Sequence, residues 1–349
     1  MTLAPPKPEL APASAAGAGR PRRGLALGLG AGVLLVCVIA SLAFGAREVG
    51  LDDILAGLSG ADPQTVGAIA VRERIPRTVL ALLAGAALGV SGALLQAVTR
   101  NPLADPGILG INHGASLFVV AGIAFAGIDT LQQYLWLALA GAALTAVFVY
   151  LIGSMGRGGA TPVKLALAGA ATTAALSSLV SAVLLPRIEV MTVFRFWQVG
   201  GVAGASWEGM LTIAPFLGVG ALIAALSARP LNALALGDEV AAGLGVRTAR
   251  VRLLAGLAAV LLCGATTAVA GPIAFLGLMV PHVVRLLTGP DQRWILPLSA
   301  IGGAAVLTVS DVVGRVAGRP GELEAGVVTA LLGAPVLISI ARRTRVRAL

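Results

Sequence analysis

Charge is scarce in this chain. Only 12% of its 349 residues are Asp, Glu, Lys or Arg, against about 25% in an ordinary soluble domain, so a water-facing surface of normal size cannot be made from it. Histidine occurs twice, as His113 and His282, and cysteine twice, as Cys37 and Cys263. These residues form no metal-ligand or CxxC spacing, which excludes a structural metal and a disulfide framework and leaves the cysteines, both inside apolar runs, as packing residues. Enzyme signatures are missing as well: there is no HExxH, no GxSxG and no pair of catalytic carboxylates. The two lysines, Lys7 and Lys164, do not follow a glycine, so no P-loop exists. Neither catalytic residues nor a cofactor are expected. No segment alternates apolar and polar residues with the two-residue rhythm of a membrane strand, which argues against a barrel.

What is present is apolar: 57% hydrophobic residues and a mean hydropathy of +0.93. An integral membrane protein follows. A bilayer core about 30 Å thick takes roughly 20 apolar residues per helix, and such runs lie at 24–46, 78–99, 107–127, 131–153, 164–185, 209–228, 253–270, 272–288, 294–313 and 326–341. The expectation is an all-α membrane protein of ten transmembrane helices. The run from 253 to 288 is nearly unbroken and divides at Gly271-Pro272. Residues 1–23, rich in Pro and Ala, read as a disordered cytoplasmic tail, 24–343 as the transmembrane domain, and 344–349 as a basic tail. The first apolar run is too long for the core of a signal peptide and is expected to be retained.

Basic residues concentrate on the cytoplasmic side of a membrane. Placing both termini inside puts 17 of the 25 Lys and Arg there, including Arg100, Arg229, Arg250 and Arg252, with Asp105, Asp238, Glu239 and Asp291 beside them. This basic inner face accounts for the high isoelectric point without nucleic acid. The spans themselves are almost free of ionisable groups. A secondary transporter usually keeps one at mid-membrane; here Asp311, Arg285 and Lys164 fall near span ends, where snorkelling keeps their charges in water.

One stretch breaks the pattern. NALALGDEVAAGLGVRTAR, residues 232–250, sits between the sixth and seventh spans on the inner side and carries two acids, three glycines and two arginines. Its apolar blocks are too short to cross a membrane, yet they suit a pair of short helices that a cytoplasmic partner could push. The 46 glycines fit closely packed spans that tolerate breaks. Cutting after the fifth span yields two five-helix units of inverted topology, although a repeat is visible only as a faint match between NPLADPGILGINHGA at 101–115 and GPDQRWILPLSAIGG at 289–303.

The stretch RIPRTVLALLAGAALGVSGALLQAVTRNPLADPGILGINHGA, residues 74–115, strongly resembles the signature region of FecCD-type permeases, the membrane subunits of type II ABC importers for ferric siderophores, haem and cobalamin. Three further blocks agree in order: LALGDEVAAGLGV, GPIAFLGLMVPHVVRLLTGPDQRWILPLSAIGGA and GELEAGVVTALLGAPVLISI. The resemblance runs from about residue 28 to 343. It implies ten helices per subunit with an inverted five-helix pseudo-repeat, a second permease subunit, identical or paralogous, two cytoplasmic ATP-binding subunits, an extracytoplasmic binding protein and a multi-pass place in the cell membrane among its lipids.

Roles carry over by position. Residues 231–249 match the family's coupling loop. Leu236, Gly237, Asp238, Glu239 and Gly245 would serve ATPase coupling, with Leu234, Val240 and Leu244 adding apolar contacts. Arg74, Arg77 and Arg315, with Arg319 as the alternative to the last, match arginines that meet carboxylates on the binding protein. Thr161 falls near the family's inner gate, although Pro162 stands where a second small polar residue belongs. Gln96, Arg100, Asn101 and Pro102 suit a structural role, Asn101 capping the next segment while Pro102 stops the span. Thr172, Thr173, Ser177 and Ser178 are candidates for the pathway lining. FRFWQVGGVAGASWE, residues 194–208, looks more like ferric-siderophore permeases than cobalamin ones; haem and cobalamin are the alternatives, and a secondary transporter or channel working without an ATPase is the alternative class.

Overall fold

The computed structural model describes residues 20–59, 65–107, 109–156 and 162–346. Among these residues all regular structure is helical: α1 (Arg20–Ala43), α2 (Leu51–Leu58), α3 (Val66–Thr99), α4 (Ile111–Ala121, prolonged by a π turn over Gly122–Ala126), α5 (Leu131–Ser154), α6 (Pro162–Leu184), α7 (Ile188–Val199), α8 (Trp207–Leu234), α9 (Asp238–Gly243), α10 (Thr248–Ala270), α11 (Leu276–Thr288), α12 (Gln292–Ala317) and α13 (Ala325–Val346). The all-α membrane architecture is as expected. Seven helices are long and apolar enough to cross a bilayer, and three shorter apolar ones, at 111–126, 276–288 and 325–339, stand where the third, eighth and tenth spans were expected. Ten full crossings are not what the helices measure: 13 residues of α11 reach about 20 Å at about 1.5 Å each.

Boundaries follow local chemistry. Thr65 opens α3 by accepting from the Ala68 N–H at 3.1 Å, so this helix starts twelve residues before the apolar run and carries Pro76 in its interior. Thr130 with Gln133 forms a capping box for α5. Ser206 caps α8 through the Gly209 N–H, and Asp291 caps α12 through that of Arg293. Gly271-Pro272 does end α10. The first helix begins at Arg20, inside the stretch expected as tail, and α13 runs to Val346 in the other. Two short helices, α2 and α7, were not anticipated, being too short to register as spans.

The bundle is built around α3, of whose most apolar 18 residues 72% are buried, followed by α10 at 67%; α1, at 11%, lies on the outside. Glycine lets the central helices touch. A Cβ added to Gly85 would lie 2.3 Å from the Gly303 carbonyl oxygen on α12, and one added to Gly92 would lie 1.9 Å from that of Gly277 on α11. Backbone thus meets backbone, the small-residue packing that operates where lipid supplies no hydrophobic drive between helices.

Two spans are broken at mid-height. Ser91 on α3 donates to the Ala259 carbonyl at 2.8 Å, halfway along α10, which places Gly92 and its neighbour Gly277 at the centre of the bundle. One turn along α10, the Cys263 thiol reaches Asn112 Oδ1 at 3.2 Å, setting the first turn of α4 at a similar level. Both α4 and α11 therefore begin inside the bundle, the first after the non-helical residues 101–107 and 109–110 and the second after 271–275, and each opens on a left-handed residue, Gly110 at φ 77° and Phe275 at φ 65°. Irregular backbone at this depth is tolerated where protein or a cavity surrounds it. As the third helices of the two five-span halves, α4 and α11 are counterparts in shape. The sequence match of 101–115 to 289–303 is displaced from this pairing, since 292 onward is the uninterrupted α12.

Candidate functional site

Three places concentrate polar side chains: one at each end of the bundle and one between the broken spans.

At the end that the basic-residue count assigns to the cytoplasm, α8 stops at Leu234 and the six-residue α9 follows, with Gly237 (φ 113°) and Gly245 (φ 80°) supplying the turns on either side. This is one short helix rather than a pair. Asp238 and Glu239 occupy its first turn, complementing the positive end of the helix. Asp238 does not point to water alone: Arg100, the left-handed residue ending α3, and Arg252, on α10, both donate to it, Arg252 at 2.9 Å. Arg100 also donates to the Leu234 carbonyl at 2.6 Å. The short helix is therefore clamped to α3, α8 and α10. Its apolar residues divide: Leu234 and Ala241 are buried, whereas Leu236, Val240 and Leu244 are each more than half exposed. Leu234 thus leaves the set expected to meet a partner. Beside it, Asn232 joins the end of α8 to the start of α12, donating to Asp291 at 2.6 Å and accepting from the Gln292 N–H at 2.8 Å. Burial alone would raise the Asp291 carboxyl, but hydrogen bonds from Arg293 and Asn232 outweigh it and hold it below the usual range.

Between the broken spans lies a cavity of 800 Å³ walled by the leads, α4, α6, α7 and α11. Its polar lining comes from Asp105, Asn112, His113, Ser116, Thr173, Ser177, Ser181 and Gln198, and no lysine or arginine is among the described residues that line it. Of the four hydroxyls expected along the pathway, Thr173 and Ser177 are on this wall; Thr172 is buried elsewhere, and Ser178 is turned out, its hydroxyl bonded to the Ala174 carbonyl. Thr161 falls outside the described residues. Asp105, counted at first among cytoplasmic acids, is instead 4% exposed. One carboxylate oxygen accepts from the Gly107 N–H at 2.8 Å, and the other would lie 2.9 Å from a Cβ on Gly277. Asn112 and His113 were missed as lining because the 107–127 run reads as one apolar span, and Asp105 because it precedes that run; the signal was there in Pro102 and Pro106 before the run and Gly107 and Gly110 at its start. Nearby, Asn101 caps a turn at the Leu103 N–H rather than a helix. Gln96 ties α3 to the Gly277 and Leu278 carbonyls and accepts from Arg285 at 3.0 Å, so that arginine does not snorkel.

At the opposite end of the bundle the arginines expected to face a binding protein turn inward. Arg74, 6% exposed, donates to the carbonyls of Leu42, Ala43 and Arg47. Arg315, 2% exposed, donates to the Ser41 carbonyl at 3.1 Å and hydroxyl at 2.9 Å and pairs with Asp311 at 3.0 Å. Arg319 donates to the Gly45 carbonyl at 2.6 Å. Together they close the C-terminal end of α1, whose last carbonyls have no partners within the helix and no water to turn to in an apolar layer. Arg77 bridges two acids: Asp311, 1% exposed, at 2.7 Å and Glu322 at 2.6 Å. Asp311 is hence a buried pair member, not a snorkelling residue. Burial thus withdraws Arg74 and Arg315 from the surface, Arg77 is 12% exposed and held by its two acids, and Arg319, 37% exposed, is the most open of the four.

Comparison with known proteins agrees with this layout. The model of the FecCD transport family matches residues 33–343. The ferric enterobactin transport system permease protein FepD of Escherichia coli is 45% identical over 316 residues, 89% of this chain and 94% of the relative. The probable siderophore transport system permease protein YfiZ of Bacillus subtilis is 40% identical over 311 residues, 89% and 93% of the two chains. Among solved structures, a metal-chelate type ABC transporter in an inward-facing conformation superposes with a TM-score of 0.78 at 26% identity, covering 92% of this chain and 99% of that one.

Proposed function

The chain belongs to the FecCD transport family, and we propose that it is the membrane-spanning subunit of an ATP-driven importer that carries ferric siderophores inward from an extracytoplasmic binding protein. The observation that carries this reading is the clamped α9, which holds Leu236, Val240 and Leu244 exposed at the end of the bundle. Exposed apolar side chains on a rigid mount suit a groove in a soluble partner, and ATP hydrolysis belongs to that partner. A second permease subunit completes the pathway, and the lipid bilayer surrounds both. The cargo assignment draws on the siderophore relatives and on the cavity: hydroxyls, amides and one carboxylate without a cation let a bulky chelate pass without a tight site, so that selection rests with the binding protein. Thr173 and Ser177 line the route, and Arg77 with Arg319 meets the binding protein's carboxylates.

Co-expression with the ATP-binding subunit tests this. Val240→Glu with Leu244→Glu is expected to abolish co-purification of the ATPase and to reduce ferric siderophore uptake in cells at least tenfold, while the permease still reaches the membrane. Full uptake by this variant overturns the coupling role of α9, and ATP-independent uptake overturns the importer class.

A further inference from the structure

A second cavity lies outside the transport route. It is a groove of 980 Å³ between α3, α8, α10 and α12, and it shares no lining residue with the cavity described above. Its wall is made of small and aliphatic residues, Ala221, Ala225 and Gly218 on α8 facing Leu83 and Val90 on α3 and Leu296 on α12. Lining positions on α8 run from Ala214 to Arg229, about 22 Å at about 1.5 Å per residue. One leaflet of a bilayer core is about 15 Å deep, so an extended acyl chain fits lengthwise. The side of α8 is open there, with Leu222 and Leu226 at least 60% exposed.

One end of this greasy channel is cationic. Arg229 and Arg293 line it at the inner end. Arg229 is exposed and has no hydrogen bond or ion pair among the described residues, while Arg293 shares its charge with Asp291 at 3.0 Å. Next to Arg293 in the same wall, Gln292, 5% exposed, keeps its amide oxygen without a hydrogen-bond partner among the described residues. A buried acceptor left open costs about 1–3 kcal/mol, and a donor from outside the chain would remove that cost. Apolar length, two guanidinium groups at the inner mouth and an unfilled acceptor beside them describe a lipid with a negative phosphate and a hydroxylated headgroup.

We propose that this groove is a binding site for an anionic phospholipid of the inner leaflet, such as phosphatidylglycerol, with the acyl chain along α8, the phosphate between Arg229 and Arg293, and a headgroup hydroxyl donating to Gln292. The site anchors α8, which leads into the clamped α9, and α12 to the inner leaflet.

Native mass spectrometry of the full chain, released from nanodiscs of equal phosphatidylglycerol and phosphatidylcholine, tests the proposal. One phosphatidylglycerol should be retained well above phosphatidylcholine. Arg229→Gln should weaken that preference about fivefold, an increment comparable to one arginine at a lipid surface, and Arg229→Lys should keep it. Gly218→Leu should remove the retained lipid without unfolding the protein, because nothing lies within 4 Å of a Cβ built there. Arg250→Gln, on the same side but outside the groove, should change nothing. Equal retention of the two lipids overturns the proposal, as does a loss that Arg250→Gln reproduces. Crosslinking between two copies carrying Ala225→Cys overturns it too, since the groove would then be covered by a second subunit.

Discussion

Arginines on the outer side of a membrane protein run against the usual charge bias, and that anomaly made Arg74, Arg77 and Arg315 visible in the sequence. Its cause was not visible. The partners are carbonyls of residues 41–47 and the side chains of Asp311 and Glu322; apart from Asp311 and Arg315, one helical turn apart, they lie between 27 and 274 positions away, and no periodicity connects them. What the bias marks is a charge that has a partner, and here the partner is the end of another helix. Asp311 depends on this arrangement: 1% exposed, it is balanced by Arg77 and Arg315. Removing one partner of a buried pair costs about 3–5 kcal/mol, whereas replacing both with apolar residues costs far less. Arg315→Leu should therefore lower the thermal midpoint in detergent, and adding Asp311→Leu should recover only part of the loss, because Arg77 then keeps Glu322 as its sole acid. Equal midpoints for the single variant and the wild type would show that the pair holds nothing.

At the scale of elements, the break at Gly271-Pro272 was legible because both residues end a helix by simple chemistry. The late start of α4 was not, because the 107–127 run stays apolar across its non-helical lead, and composition alone does not separate a buried turn from a buried helix. The early start of α3 was hidden for the opposite reason: Val66 to Arg77 is charged enough to look like a loop, yet Thr65 caps it and neighbours bury one side. Glycine contacts decide how the broken spans seat. With the Gly92 Cβ position 1.9 Å from the Gly277 carbonyl oxygen, Gly92→Val should exceed the usual overpacking cost of about 1–3 kcal/mol and yield aggregated protein on size-exclusion chromatography. Gly218→Ala, in open space, should elute as wild type. A monodisperse, active Gly92→Val protein would mean that α3 and α11 are not in backbone contact.

Over the whole molecule, the ionic contacts sort to two ends. Arg77, Asp311, Arg315, Glu322 and Arg319 gather at one; Arg100, Asp238, Arg252, Asp291 and Arg293 gather at the other. Which of the two ends faces the cytoplasm can be read directly by labelling single cysteines, because native Cys37 and Cys263 are both buried. An impermeant maleimide on intact cells should label Glu48→Cys, at a site 90% exposed, and should label Glu239→Cys only after permeabilisation. The reverse pattern would invert the topology.

The closure of α1 also has a bearing on how the chain is made. Its terminal carbonyls appear when residue 47 leaves the ribosome, but the guanidinium groups of Arg315 and Arg319 that cap them lie 274 positions later. Throughout synthesis the first span must wait with its end open, held by Arg74 alone, and only a nearly complete polypeptide can shut it. A prematurely terminated chain would keep that end unsealed, a mark by which a membrane protease could tell unfinished copies from finished ones.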